Sequence, residues 1–297
     1  MKAAEGSVES LCESWSVLVA AQDRLHDVRE RDHRNSDGGD AGHQWDHGLV
    51  VRHAVNYAVA AGVASSIGLD GPLVDVGAGA GGFSVWAASR LNRPLVVVDQ
   101  DADHRALASR AFPDVDVHGQ IATAPQAPVV FCMEVIEHVP RAQQEAFVSE
   151  LAGRVLPGGM LAMSTPDESG YWGGWSGYPA HVATLDAHDL HRLMQAQLAG
   201  WDVDVLRIDG PGFDLSTVGR LGVPVANRVW SSLNSRFPGV THELAFRVSR
   251  LGRYRSGPSA PDPAAFRVST AGRGAGTGLV AVARHPAAQP GDATVNA

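Results

Sequence analysis

Glu134, Glu137 and His138 fall within five positions of one another in FCMEVIEHVP, residues 131–140, directly after a short apolar run. Two carboxylates and an imidazole at that spacing support three kinds of chemistry. They can ligate a divalent metal. They can act in proton transfer, since imidazole titrates near neutrality. They can also form the polar rim of a pocket whose chemistry is done by other groups. On one helical turn positions i, i+3 and i+4 share a face, so the three side chains can converge. The choice depends on the elements that hold them.

Those elements alternate. From residue 72 the chain reads PLVDVG as a strand, GGFSVWAASRL as a helix, PLVVVD as a strand and DADHRALASRAF as a helix. A weak short strand VDVHG follows, then the strand APVVFCM, the helix QQEAFVSELAGRVL and the strand GMLAMST. DAHDLHRLMQAQLA is a helix, DVDVLRID a strand and, much later, GLVAVARH a last strand. Apolar strands separated by helices of this length build parallel βαβ units. The expected fold is α/β: a Rossmann-like, seven-stranded, mostly parallel sheet with helices on both faces. In such a sheet the segment after the fourth strand lies at the carboxyl end, where ligands bind.

Before the sheet, Leu11, Trp15, Leu18 and Leu25 recur at helical spacing, so 7–30 reads as one amphipathic helix and 48–66 as a second. The polar RDHRNSDGGDAGHQ between them reads as a loop. The expected organisation is an N-terminal helical cap at 1–70 and a core at 71–210. A lid or substrate insertion at 211–275, the final core strand at 276–285 and a disordered tail at 286–297 complete it. The net charge of −8 in 297 residues argues against a general nucleic-acid or membrane-surface binder. Lys2 is the single lysine, which reflects coding bias rather than chemistry. Of the two cysteines, Cys12 and Cys132, the second sits in an apolar run and reads as core; no disulfide framework follows. There is no apolar run of about 18 residues to span a membrane, and MKAAEGSVES lacks the apolar stretch of a signal peptide. A cytoplasmic location is expected.

The first strand runs into D-V-G-A-G-A-G-G, residues 75–82. Gly77 and Gly79 allow a tight turn and a close ligand, and the helix start behind them offers unpaired N–H groups. Asp99 ends the second strand, where a carboxylate can accept both hydroxyls of a ribose. Gly77, Gly79 and Gly82 also satisfy the dinucleotide pattern G-x-G-x-x-G. Asp75, however, would oppose a pyrophosphate and suit a cation. S-adenosylmethionine (SAM) carries a sulfonium and an ammonium, and no phosphate.

At this point the stretch resembles the class I SAM-dependent methyltransferases, with motifs like those of the ubiquinone and menaquinone type. LVDVGAGAGG is similar to their first motif, VVVDQD to the ribose motif, HGQIATAP to the adenine loop, FCMEVIEHV to the segment after strand four, and LPGGMLAMSTP to the turn into strand five. The resemblance covers about 72–210 and the final strand. It departs at Gln120, where many members carry Asp. It implies SAM as cofactor, with Asp75, Gly77, Ala78 and Gly79 at the methionine end. Asp99 would take the ribose, and Gln100, Gln120 and Ile121 the adenine. Met133 and Glu134 would lie near the methionine.

His138 and His181 are the expected catalytic residues, as proton acceptors for a hydroxyl. Glu-x-x-Glu-His is also similar to the metal site of RNA 3′-end 2′-O-methyltransferases, with His181 as the further ligand. The loop that follows, PDESGYWGGWSGYPAHVATL, departs from those enzymes, and no metal is assigned. In quinone-type members the same motif shapes the cofactor pocket without a metal. Tyr171, Trp172, Trp175 and Tyr178 read either as a lid over an apolar or aromatic substrate or as a homodimer contact. Seven arginines at 220, 228, 236, 247, 250, 253 and 255 face one acid, Glu243, and can hold an anion or form a solvated helix face. The expectation is methyl transfer from SAM to a small-molecule acceptor, aromatic or anionic, most simply at oxygen. The alternatives are a metal-dependent RNA 2′-O-methyltransferase and a module that holds SAM or S-adenosylhomocysteine without transfer.

Overall fold

The computed structural model describes residues 6–31, 47–171, 180–210, 260–270 and 278–287, with isolated positions between 222 and 236. Its centre is a sheet whose inner strands are largely apolar and buried. The strands are β1 (Leu73–Val76), β2 (Leu95–Val98), β3 (Asp116–His118), β4 (Ala127–Met133), β5 (Val155–Pro166), β6 (Asp202–Asp209), β7 (Arg267–Thr270) and β8 (Gly278–Arg284). The spatial order is β3-β2-β1-β4-β5-β8-β6-β7. The first five strands in chain order pair in parallel, while β8 runs antiparallel to both β5 and β6.

The sheet has eight strands rather than the expected seven. The extra one, β7, comes from the 211–275 segment and pairs antiparallel with β6 at the sheet edge. Its sequence RVST is short and polar, and its residues are exposed or half-buried. An edge strand with no apolar face gives no periodic signal.

Alternation along each inner strand divides the core. Leu73, Phe131, Met160, Ala162, Val280 and Val282 share one face with apolar residues of three helices. These are α1 (Ser7–Glu13), α2 (Trp15–Arg31) and α3 (His47–Ala64), followed in the chain by α4 (Gly82–Leu91) on the same side. Val74, Val130, Cys132, Leu161, Met163 and Ala281 point to the other face. That face is covered after α5 (Ala102–Ala111) by α6 (Gln144–Ala152) and α7 (Ala187–Gln197), through Val148, Leu151, Leu190 and Met194. Asp101 and Asp186 start α5 and α7 by accepting backbone N–H bonds in the first turn.

The expected single helix over 7–30 is two. Its apolar stripe is buried as the spacing requires, but the axis breaks at Ser14. The Ser14 hydroxyl donates to the Ser10 carbonyl at 2.8 Å and accepts from Trp86 Nε1 at 2.9 Å. A serine bonded back to the preceding turn bends a helix, and here the bend also satisfies a buried indole. Among the described residues no helix is long and apolar enough to cross a membrane.

The order of the strands places the cleft. From β1 the chain moves through β2 and β3 to one side, then returns to β4 and β5 on the other. The crossovers therefore diverge between β1 and β4 and leave a crevice at their carboxyl ends.

Candidate active site

β1 ends in that crevice with two glycines in the left-handed region, Gly77 at φ +72 and Gly79 at φ +57. They have different reasons to lack a side chain. A Cβ on Gly77 would come within 2.4 Å of Val135 Cγ2, so this glycine lets the β4 segment pack against the turn. A Cβ on Gly79 would meet nothing within 4 Å. It would project into open space that a ligand can fill.

Asp99, at the end of β2, closes the turn: its Oδ2 accepts from Gly79 N and its Oδ1 from Asp101 N, both at 2.8 Å. Burial alone would raise the Asp99 carboxyl, but hydrogen bonds from His104 and from the Asp101 and Gly79 amides outweigh it and hold the group below its usual value. Asp99 is thus an ionised acceptor facing the cleft.

One continuous cleft of ≈ 1580 Å³ runs along these strand ends. Among the expected site residues, Gly77, Ala78, Gly79, Asp99, Gln100, Gln120, Ile121, Met133, Glu134, His138 and His181 all line it. Asp75 does not. It lies fully buried behind the turn, where Oδ2 accepts from the Tyr57 hydroxyl at 2.8 Å and from Ser84 Oγ at 2.6 Å. Burial pushes its carboxyl up to about 6, against the two hydrogen bonds. The direct contact with a ligand expected of Asp75 is therefore replaced by a place in the wall behind it.

Glu134 and Glu137 do not converge as one helical turn would make them. Glu134 sits at φ +56, uncommon for a residue with a side chain, and only Ile136–His138 form a short 3-10 turn. The Glu134 amide donates to Ser164 Oγ at 3.0 Å, while its carboxylate accepts from Arg52 at 2.9 Å and from Asn56 and Ser164 at 3.0 Å. Four bonds offset the local strain. Glu137 turns the other way and accepts from Thr165 Oγ1 at 3.1 Å. Burial, then the nearby Glu134 charge, push the Glu137 carboxyl well above its usual value.

The segment after β5 is stitched to this turn. Val182 N and Ala183 N donate to the Glu137 carbonyl at 2.9 and 3.1 Å, and Gln144 Nε2 bridges the Ile136 and Ala183 carbonyls. His138 and His181 consequently meet edge to face with ring centroids 5.1 Å apart. His138 Nδ1 lies 2.9 Å from the Ala180 carbonyl, which only accepts, so Nδ1 carries the proton and Nε2 the lone pair of the neutral ring. His181 Nδ1 lies 2.5 Å from Oε1 of the buried Glu168.

Four residues here escaped the sequence reading. Arg52 and Asn56, four apart on one helix face, and the adjacent Tyr57 interrupt the apolar helix GLVVRHAVNYAVAAGVASS. Glu168 follows β5 directly, and that position was its only signal. Of the aromatic loop, Tyr171 lines the cleft, while Trp172, Trp175 and Tyr178 lie outside the described residues. So do all but Arg228 and Arg236 of the seven arginines.

A sheet of this order, with a glycine turn and an acid at the ends of β1 and β2, has the layout of the nucleotide-binding α/β folds. Residues 50–204 match the family model described as a methyltransferase domain, more than half of the chain. The chain belongs to that family and is a SAM-dependent methyltransferase. The site suits this cofactor: among the described residues lining the cleft the one arginine, Arg52, is already paired with Glu134. A ligand without phosphates needs no further cation there. No curated protein matches the chain by sequence. Among solved structures, it is similar to a SAM-dependent methyltransferase from Archaeoglobus fulgidus, at 13% identity over 78% of this chain and 94% of that one, with a TM-score of 0.48. The cyclopropane synthase MmaA2 from Mycobacterium tuberculosis is 12% identical over 77% and 82%, with a TM-score of 0.47. The [4+2]-cyclase SpnF is 15% identical over 78% and 81%, with a TM-score of 0.46. None of these likenesses identifies an acceptor.

Proposed function

We propose that the protein methylates a hydroxyl oxygen of a small-molecule acceptor held at the corner formed by Glu137, His138 and His181. The observation that supports this reading is one cleft lined both by the glycine turn and Asp99 and by the two imidazoles of His138 and His181. In this reading Gly77, Ala78 and Gly79 cradle the methionine end of SAM, with Met133 and Glu134 beside it. Asp99 accepts from the ribose hydroxyls, and Gln100, Gln120 and Ile121 border the adenine. Bound there, SAM supplies an electrophilic methyl group on a sulfonium.

The chain's own task is to align an oxygen with that group and relieve it of its proton. His138 is suited to this, because the Ala180 carbonyl fixes its tautomer and directs the Nε2 lone pair away from the backbone. The buried Glu168 orients His181 in the same way. An acceptor's hydroxyl at this corner would meet a hydrogen-bond acceptor on the exposed His138, beside the half-buried His181.

The test is a transfer assay with a panel of small phenols, alcohols, amines and carbon acids, the methylated atom located by NMR. Methyl ethers are expected. His138→Ala should lower kcat about a hundredfold while S-adenosylhomocysteine affinity stays the same. Transfer only to nitrogen or carbon would remove the oxygen reading.

A further inference from the structure

We propose that Glu137, His138 and His181 bind one divalent cation of the Mn²⁺ or Zn²⁺ type at the acceptor end of the cleft. Each of the three offers a ligand atom, and these atoms all lie within 4.8 Å of one another. A set of two imidazoles and one carboxylate matches borderline transition metals and leaves coordination positions open, as catalytic sites require.

Two further observations point to a ligand. Glu137 is 1% exposed, and while Thr165 holds its Oε2, its Oε1 is buried without a hydrogen-bond partner. A buried carboxylate oxygen left unmatched costs free energy unless something occupies it. A cation bound by the adjacent imidazoles would do so. The second is how the rings are backed. His138 is anchored through Nδ1 by the Ala180 carbonyl, and His181 through Nδ1 by the Glu168 carboxylate. Metal-binding histidines are oriented in this way, through the nitrogen that does not ligate. The bonds from Val182 and Ala183 to the Glu137 carbonyl hold the two ligand-bearing segments in register. Glu134 is not part of the set, because Arg52, Asn56 and Ser164 occupy its carboxylate.

The existence of the site is independent of the acceptor. Its role rests on the oxygen reading above but replaces proton acceptance by His138, whose Nε2 lone pair would be on the cation: the cation would hold the acceptor hydroxyl and ease loss of its proton to water.

The experiment uses the full chain, stripped with EDTA and titrated calorimetrically with Mn²⁺ and with Zn²⁺. One saturable site per chain is expected. Glu137→Gln and, independently, His181→Gln should weaken it about a hundredfold, and Glu168→Gln about tenfold. Unchanged S-adenosylhomocysteine binding in each variant certifies the fold. No saturable binding by the wild type overturns the proposal. So does binding that survives both ligand substitutions, which would assign the ion to the group of Asp186, His188 and the half-buried Asp189. If no cation binds yet methyl ethers form, this inference falls and the functional reading stands. If a cation binds but nitrogen or carbon is methylated, the site stands and the oxygen reading falls.

Discussion

Burial raises the Asp75 carboxyl to about 6 although Ser84 and Tyr57 both donate to it. Its value in the unfolded chain is near 3.8, so the folded state holds this proton more tightly. The stability that the protonated group contributes is fully present below pH 3.8 and is lost as the pH rises through about 6. The two-unit difference corresponds to about 3 kcal/mol. Asp75→Asn keeps the shape and removes the titration, so urea unfolding of the variant should lose less stability over this window than the wild type. Parallel curves would show that Asp75 titrates normally. The two turn glycines give a second contrast. Gly77→Ala should destabilise by more than the ~1 kcal/mol of a left-handed alanine, because its Cβ also strikes Val135. Gly79→Ala should lose little beyond that backbone term and instead weaken S-adenosylhomocysteine binding. Equal effects of both on unfolding and on calorimetric affinity would contradict the assignment. Gly77, Gly79 and Asp99 were legible in the sequence because a strand-to-helix turn at a ligand restricts residue type by backbone geometry. Arg52, Asn56 and Tyr57 were not, because apolar periodicity treats polar interruptions of a helix as solvent-facing. Asp75 was read as ligand-facing because the motif gives its position along β1 and not the face it occupies.

At the scale of elements, the junction of α1 and α2 shows what periodicity omits. Leu11, Trp15, Leu18 and Leu25 are buried as one helical stripe predicts. A stripe is blind to a break, however, and the Ser14 hydroxyl at this one accepts from Trp86, which is 72 residues away. Ser14→Ala leaves the indole N–H without its acceptor in a nearly closed site. A loss of about 1–3 kcal/mol is expected, read as a lower urea midpoint with an unchanged slope. A neutral result would mean that the bend is set by packing alone. β7 was missed for the related reason that its pairing with β6 is made by backbone groups, with no apolar face to reveal it. The inner strands were legible because burial on both faces leaves them continuously apolar.

For the whole molecule, the strand order carries the functional argument. Reversal between β1 and β4 opens one crevice, and the turn after β1, the acid after β2 and the corner after β4 all line it. The cleft gathers residues from 22 to 181, which is why no single stretch of sequence displayed it. FCMEVIEHVP is one wall of that cleft: Glu134 belongs to the network with α3, and Glu137 and His138 to the corner with His181. The cofactor is expected to lie between the glycine turn and Asp99, apart from that corner. Calorimetry with S-adenosylhomocysteine on three proteins tests this placement directly. One-to-one binding to the wild type, loss of binding in Asp99→Ala and unchanged affinity in His181→Ala are expected. Binding of NAD in place of S-adenosylhomocysteine, or loss in His181→Ala with retention in Asp99→Ala, would contradict it.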